Sequence, residues 1–469
     1  MKILCVWGLV LILIEGFIIE CEGGNVIGNL KDPITGVCSN NPELPNILIA
    51  EILYRAGFET TKNAAKAKIR SREAIDRILE DHIIIIKSPQ VKQHNEIIEF
   101  HQKDERCLEI HNYDKLMKLL HHLGEHVRRI RIHYYNMNDG RDINKNVIKK
   151  YAKQLTELAM FTQLLCHESY IEQIWQDISS ENGENHFPEL KKFEYHGRIT
   201  KNPFDVNSIF PKLEIFKLVG EVDDINCLAN VRHLKELSLN TESIGEDQLV
   251  NIIANNKQLT KLNIWNNNKI TIRTVRTIAN NLKDLKTFTI GDVATNFFVS
   301  TTNDVYNLTS VISFSVFSDR IENLYGNISF NMPNLENLKL LGWNFDHRIT
   351  NFINRFHKLK AVFVDGLAED SFTSCIEKLT HIKEFSTVFV KSQLSSLKVF
   401  FENFDASKSL NTLKLLNFDY SEYPFCAATM NEINIHLKES KKPTWQISYG
   451  YVDQPKEYKG YYLMFGRDP

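Results

Sequence analysis

Leu234-Lys235-Glu236-Leu237-Ser238-Leu239 and, 25 residues on, Leu259-Thr260-Lys261-Leu262-Asn263-Ile264 share one pattern, LxxLxL. It returns at Leu285-x-x-Phe288-x-Ile290, Leu335-x-x-Leu338-x-Leu340, Leu359-x-x-Val362-x-Val364 and Leu410-x-x-Leu413-x-Leu415. Looser copies begin at Val127, Leu155, Leu190, Leu213, Leu308 and Ile382, and a partial one is Leu108-Glu109-Ile110. Counted this way, first positions stand 21 to 35 residues apart, with most spacings in the twenties. Chance clusters of leucine do not hold a period.

The alternation in LxLx sends apolar side chains to one side of a short strand and the intervening ones to the other. The leucines then fill a core between that strand and a return segment, and successive strands stack in parallel. The spacing is that of leucine-rich repeats. The return segments read as helices. Ser243-Ile-Gly-Glu246 has the form of a capping box, and Leu249, Ile252 and Ile253 follow at helical spacing. Thr271 opens a second such segment with Val275, Ile278, Ala279 and Leu282. The expected fold is an α/β solenoid. It is a leucine-rich-repeat horseshoe with parallel concave strands, a mostly helical convex side and a helical N-terminal cap.

Outward from the repeats, the chain divides as follows. Residues 1–23 read as a signal peptide: a basic start, an uncharged core ILCVWGLVLILI over Ile3–Ile14, and Cys21-Glu22-Gly23 as the cleavage site. That apolar run is shorter than the roughly 17–25 residues a bilayer span needs. Residues 24–41 are an extended segment, 42–104 the helical cap, 105–442 the repeats, and 443–469 a capping strand and aromatic-rich tail. Towards that end, Met430 to Leu437 reads as a final helix and Trp445 to Tyr449 as a final strand.

Pro42-Glu-Leu44-Pro45-Asn-Ile-Leu-Ile49-Ala-Glu-Ile52-Leu53 resembles the opening of an F-box, whose first helix follows a Leu-Pro pair. Leu108–Tyr113, His126–Ile132 and Lys150–Leu158 resemble insect F-box/leucine-rich-repeat proteins. The chain is also similar to a secreted, venom-type leucine-rich-repeat class with a degenerate F-box. The first resemblance implies an intracellular substrate adaptor of a Skp1–cullin ubiquitin ligase, with Leu44, Pro45, Ile49, Ile52 and Leu53 meeting Skp1. The second implies export. The segment 61–80, TKNAAKAKIRSREAIDRILE, is basic and lacks the tryptophan with which the family packs on Skp1.

Composition narrows the function. Of 469 residues, 43% are hydrophobic and 24% charged, which suits a chain that buries a core. A net charge of −2 gives no global attraction to nucleic acid or anionic membrane. Eight cysteines (Cys5, Cys21, Cys38, Cys107, Cys166, Cys227, Cys375, Cys426) form no CxxC pair, so neither a zinc site nor a thioredoxin-like site is indicated. Cys227 and Cys375 read as core residues of repeat helices. No nucleophile elbow, P-loop or HExxH motif is present. His122 and His126 stand four apart, with His121 and His133 near, but lack a third ligand at metal spacing. Cys166-His167-Glu168 places a thiol beside a base in sequence, where neighbours rarely face each other. The expectation is no enzyme, no cofactor and no metal.

What remains is binding. Strand positions between the core leucines form the exposed ladder. Arg131, Lys217, Asn263, Lys339 and Phe363 fall between the second and third core positions. His133, Phe161, His196, Asn240, Trp265 and Asp365 follow the third. The full ladder also includes Ala159, Glu194, Ser238, Thr289, Ser386 and Lys414, then Val219, Gly291, Leu341, Val388 and Leu416; the Leu308 copy cannot be placed. The ladder is mixed in charge, which disfavours nucleic acid, and its aromatics suit a protein partner. The expected function is a secreted, non-enzymatic binder of a protein through the concave face, with no membrane contact after signal cleavage; the alternative is the cytoplasmic adaptor. Asn307-Leu-Thr309 and Asn327-Ile-Ser329 are glycosylation sequons that matter on export.

Overall fold

A computed structural model describes residues 82–87, 98–102, 105–110, 113–134, 143–162, 186–199, 206–220, 225–240, 244–265, 270–291, 305–317, 329–342, 345, 349–365, 378–379, 381–388, 401, 409–418, 423–439, 444–452 and 460–467. The chain divides into two compact units. One comprises Met1–Asp139 and Lys150–Leu158, the other Gly140–Lys149 and Ala159–Pro469.

The first unit contains strands β1 (His82–Lys87), β2 (Ile98–Gln102) and β3 (Glu105–Ile110), helix α1 (Tyr113–Leu123) and strand β4 (Arg129–Tyr134). β1 lies parallel between β3 and β4, and β2 pairs antiparallel with the other side of β3. This corrects the expected helical cap over 42–104, since β1 and β2 fall inside it. The reason is the run Ile83–Ile86. Four β-branched side chains are stiff in a helix and suit a pleated surface. All four are at most 4% exposed, so the strand is buried on both faces and shows no alternation to read. Residues 42–81, with Leu44, Pro45, Ile49, Ile52 and Leu53, lie outside the described residues, as do 1–41. α1 buries Leu116, Leu119 and Leu120 along one stripe. The Tyr151 hydroxyl donates to the carbonyl of Leu120 at 3.1 Å and fills the place a side chain at Gly124 would need.

β5 (Glu157–Thr162) precedes the long array. The array comprises β6 (Lys192–His196), β7 (Ile215–Val219), β8 (Glu236–Asn240), β9 (Lys261–Trp265), β10 (Thr287–Gly291), β12 (Ser313–Phe317), β14 (Asn337–Leu341), β15 (Ala361–Val364), β16 (Glu384–Val388) and β17 (Thr412–Phe418). Each pairs in parallel with the next. This parallel-dominated sheet, renewed by each leucine-rich repeat, is a repeat solenoid. One core row runs Phe193, Phe216, Leu237, Leu262, Phe288, Phe314, Leu338, Val362, Phe385, Leu413. Every member is at most 2% exposed. Adjacent rings meet at centroid distances of 5.9 Å for Phe193–Phe216 and 5.4 Å for Phe288–Phe314, separations at which aromatic pairs attract.

The pairing also places the copy that the sequence left unplaced. Phe314 lies opposite Phe288 and Leu338, so the repeat is Val311-x-x-Phe314-x-Val316. Leu308 is buried three residues earlier, outside the motif. With Val311 as first position, the flanking spacings become 26 and 24 residues.

The return segments are less uniform than expected. Ten-residue helices α3 (Glu246–Asn255) and α4 (Ile272–Asn281) follow β8 and β9. Elsewhere they shorten to α2 (Val206–Ile209) and α5 (Ile349–Ile353), or become β11 (Val305–Asn307) and β13 (Ser329–Asn331), which pair in a separate two-stranded sheet. Cys227 is buried in a three-residue turn of 3-10 helix rather than in an α-helix; Cys375 lies outside the described residues. At the C-terminal end, α6 (Tyr423–Glu439) is followed by β18 (Trp445–Val452) and β19 (Gly460–Arg467). β19 inserts between β17 and β18, antiparallel to both. The tail thus meets the last parallel strand with reversed polarity. Among the described residues, no helix is long and apolar enough to cross a membrane.

Polar side chains tie repeat to repeat. Asn256, wholly buried, accepts from the Leu234 amide at 3.1 Å and donates to the carbonyls of Val231 (2.8 Å) and Ile252 (2.9 Å). Glu246 does not serve the expected capping box. α3 begins with Gly245 as N-cap, which offers no side-chain bond, and Ser243 lies outside the described residues. Instead Glu246 Oε1 reaches the next helix. It accepts from the amide and hydroxyl of Thr271 (3.0 and 2.6 Å) and from those of Thr274 (3.2 and 2.8 Å). A carboxylate there satisfies helix N-terminal amides that otherwise lack partners. Partial burial opposes its charge, but these four bonds hold its pKa below the ordinary value.

Candidate outer-face binding surface

The side chains between the core rows form the outer face of the array. One register row reads Glu194, Lys217, Ser238, Asn263, Thr289, Ser315, Lys339, Phe363, Ser386, Lys414. A second contains His196, Val219, Asn240 and Trp265. Of the ladder expected from sequence, His196, Lys217, Asn240, Asn263, Trp265, Lys339, Phe363 and Asp365 are half-buried on this face of the second unit. Phe161, at the end of β5, is also half-buried. Five ladder positions depart from the expectation of exposure: Ala159 (0% exposed), Leu341 (1%), Thr289 (6%), Ser386 (9%) and Gly291 are buried. They are small or apolar; in register, Phe363 stands beside Ser386 and Phe317 beside Leu341.

Two aromatic groupings stand out. Trp265 and Phe317 lie 6.1 Å apart between ring centroids, tilted by 44°. The strand between them contributes Gly291. A Cβ there would come within 2.7 Å of Trp265 Cε3 and 3.1 Å of Phe317 Cβ. Glycine is therefore what lets the indole reach across one strand to the phenyl ring. Further along, Lys339 Nζ stands 5.4 Å from the Phe363 ring centre and Lys414 Nζ 3.9 Å from that of Tyr462, both within cation–π range. Sequence reading missed Phe317 and Tyr462. Phe317 was hidden by the three-residue offset of the Leu308 copy, which sliding the motif to Val311 would have removed. Tyr462 left no local signal, since it arrives by strand pairing from the tail.

At the other end of the array, His196 Nε2 is 2.8 Å from Glu194 Oε1, and Lys217 Nζ is 3.8 Å from Glu194 Oε2. The His196 ring packs on Phe161 at 4.3 Å, and Thr162 Oγ1 donates to its carbonyl at 2.8 Å. Burial alone would raise the Glu194 pKa. The His196 hydrogen bond and the charges of Lys217, His196 and Lys192 outweigh it, lowering the value from 4.5 to about 2. A carboxylate held below its unfolded value stabilises the fold fully above pH 4.5, and that stabilisation is lost as pH falls towards 2. Glu194→Gln is therefore expected to flatten the acid limb of a denaturation midpoint–pH profile between about 4.5 and 2. An unchanged limb would assign that acid sensitivity to other carboxylates.

In the first unit, β4 carries Arg129, Arg131 and His133. Glu157, 6% exposed, lies 2.9 Å from Arg129 Nε and 3.6 Å from Arg131 Nη2. Arg129 and Arg131 thus share a buried counter-ion. His133 stands in register with Lys87. His126 is buried in a short 3-10 turn, with Nε2 3.4 Å from Glu125 Oε1. Among the described residues, no three metal-ligating side chains converge. Cys166-His167-Glu168 and Asn327 lie outside them. Asn307 is exposed on β11.

No protein-family model matches the chain, and no curated protein matches it. Among solved structures, an internalin from Listeria monocytogenes is similar over 58% of this chain and 82% of that one, at 14% identity and a TM-score of 0.29.

Proposed function

We propose that this chain is a non-enzymatic leucine-rich-repeat protein that binds a protein partner through the outer face of its sheet, the concave side of a horseshoe. The observation that carries the reading is the Trp265–Gly291–Phe317 grouping. It sets two large, half-buried aromatic side chains side by side on a strand face, next to a polar row of Ser238, Asn263, Thr289, Ser315 and Lys339. Aromatic rings presented on rigid strands lose little side-chain entropy when a partner covers them, and such anchors dominate interface energies. The uncharged Ile3–Ile14 core supports export of the protein.

The test is a comparison of variants against a captured partner. Trp265→Ala should weaken binding by about 2 kcal/mol, roughly 30-fold. Lys257→Ala, at an exposed position on the return side, should leave affinity within about twofold. Equal affinity for wild type and Trp265→Ala would remove the outer face from the interaction.

A further inference from the structure

We propose that Asn307 is an N-glycosylation acceptor, displayed by β11 with its amide nitrogen directed outward. The proposal rests on the export reading, because the donor is available only inside the secretory pathway.

Three features of the site point to this chemistry. First, Asn307-Leu308-Thr309 is a sequon, and the strand and turn display it suitably: Asn307 and Thr309 are exposed while Leu308, between them, is 2% exposed and anchors the segment in the core. Second, the side-chain amide of Asn307 is oriented. Asn331 Nδ2, opposite in register, donates to Asn307 Oδ1 at 2.8 Å. That bond occupies the oxygen and turns Nδ2, the atom that carries the sugar, away from the β13 partner. A glycosylated amide keeps its carbonyl oxygen, so the bond survives modification. Third, the surroundings suit a first sugar. Val305 lies on the same side of β11 and is 56% exposed, unusual for a large apolar residue here. Beside it opens a pocket of about 270 Å³, lined by Arg276, Asn280, Lys283 and Asn307. An apolar sugar face against Val305, with hydroxyls towards those amide and cationic groups, would cover both. The site belongs to the two-stranded sheet of the return segments, so the glycan leaves the outer face of the long sheet clear.

In the transfer, Asn307 Nδ2 attacks the anomeric carbon of a lipid-diphosphate-linked oligosaccharide. The C–N bond forms as the bond from that carbon to the diphosphate oxygen breaks. The lipid diphosphate leaves with the electron pair, Nδ2 gives up one proton to the departing diphosphate or to solvent, and nothing is oxidised or reduced.

The full chain, bearing Asn327→Gln to remove the second sequon, would be translated with endoplasmic-reticulum microsomes in two forms. One starts with its own sequence; the other carries an unrelated cleavable signal before Met1. The signal-fused product is expected to be protease-protected and to show one glycosidase-sensitive step in gel mobility. Asn307→Gln and Thr309→Ala should each abolish that step. An endoglycosidase that cuts between the first two sugars should act on the folded protein without denaturant, as an exposed attachment requires. A protected product without the step, a step that persists in Asn307→Gln, or a glycan released only after denaturation would each overturn the proposal. If the fused form is glycosylated while the native form stays protease-sensitive, the acceptor site stands and the export reading falls.

Discussion

Asn256→Leu is expected to destabilise the fold by about 3 kcal/mol, seen as a lower urea midpoint for the transition of these repeats. The side chain is 0% exposed, and three of its bonds go to backbone, with a longer fourth accepted from Gln258 Nε2 at 3.3 Å. Two of them cross to the preceding repeat. Leucine is close in volume but leaves the Leu234 amide and the Val231 carbonyl without that partner in a place water does not reach. Each such loss costs about 1–3 kcal/mol, and greater apolar burial recovers part of the total. Gln258→Ala is the control. Its amide donates to the Leu234 carbonyl at 2.9 Å and, at 3.3 Å, to Asn256 Oδ1, from a half-buried position. Water can replace it, so the cost should stay near 1 kcal/mol. Similar losses for both variants would mean that burial does not set the value of the Asn256 brace.

Gly220→Ala should be at least as damaging, by about 3 kcal/mol or more. Gly220 has φ +138, a region that alanine enters only under strain. A Cβ would also fall 2.1 Å from the Gly197 carbonyl oxygen and 2.8 Å from its carbon. Those are backbone atoms and cannot swing aside. Relief requires moving the ends of β6 and β7, which are held by Gly197 N–H to the Val219 carbonyl and Gly220 N–H to the Asn240 carbonyl, both 2.9 Å. Gly466→Ala supplies the contrast, since a Cβ there meets nothing within 4 Å. A melting temperature for Gly220→Ala within a degree or two of wild type would show that the strand ends yield more easily than this packing implies.

The outer face was partly legible beforehand. Once a strand's two core residues are known, period two fixes which neighbours point away, and Trp265, Lys339 and Phe363 were found on that logic. Burial of individual members was not legible. Thr289 and Leu341 occupy outward positions yet are buried, at 6% and 1% exposed. One repeat read alone cannot show what the next will lay across it. The same limit applies to Glu246. Its place before a helix suggested a cap for its own helix, whereas its carboxylate serves Thr271 and Thr274 one repeat later.

The sequence by itself determined the repeat, its parallel strands and its two core rows. Those depend on the apolar period, which is local and recurs every twenty-odd residues. Tertiary structure alone decided the ends and the lateral contacts. HIIIIK became a strand because it is buried on both sides between β3 and β4. The C-terminal tail pairs antiparallel because β19 closes on β17. Trp265 meets Phe317 because the strand between them offers glycine at the crossing. Each depends on which backbone lies alongside, a relation between segments far apart in the chain that local hydrophobic period does not encode.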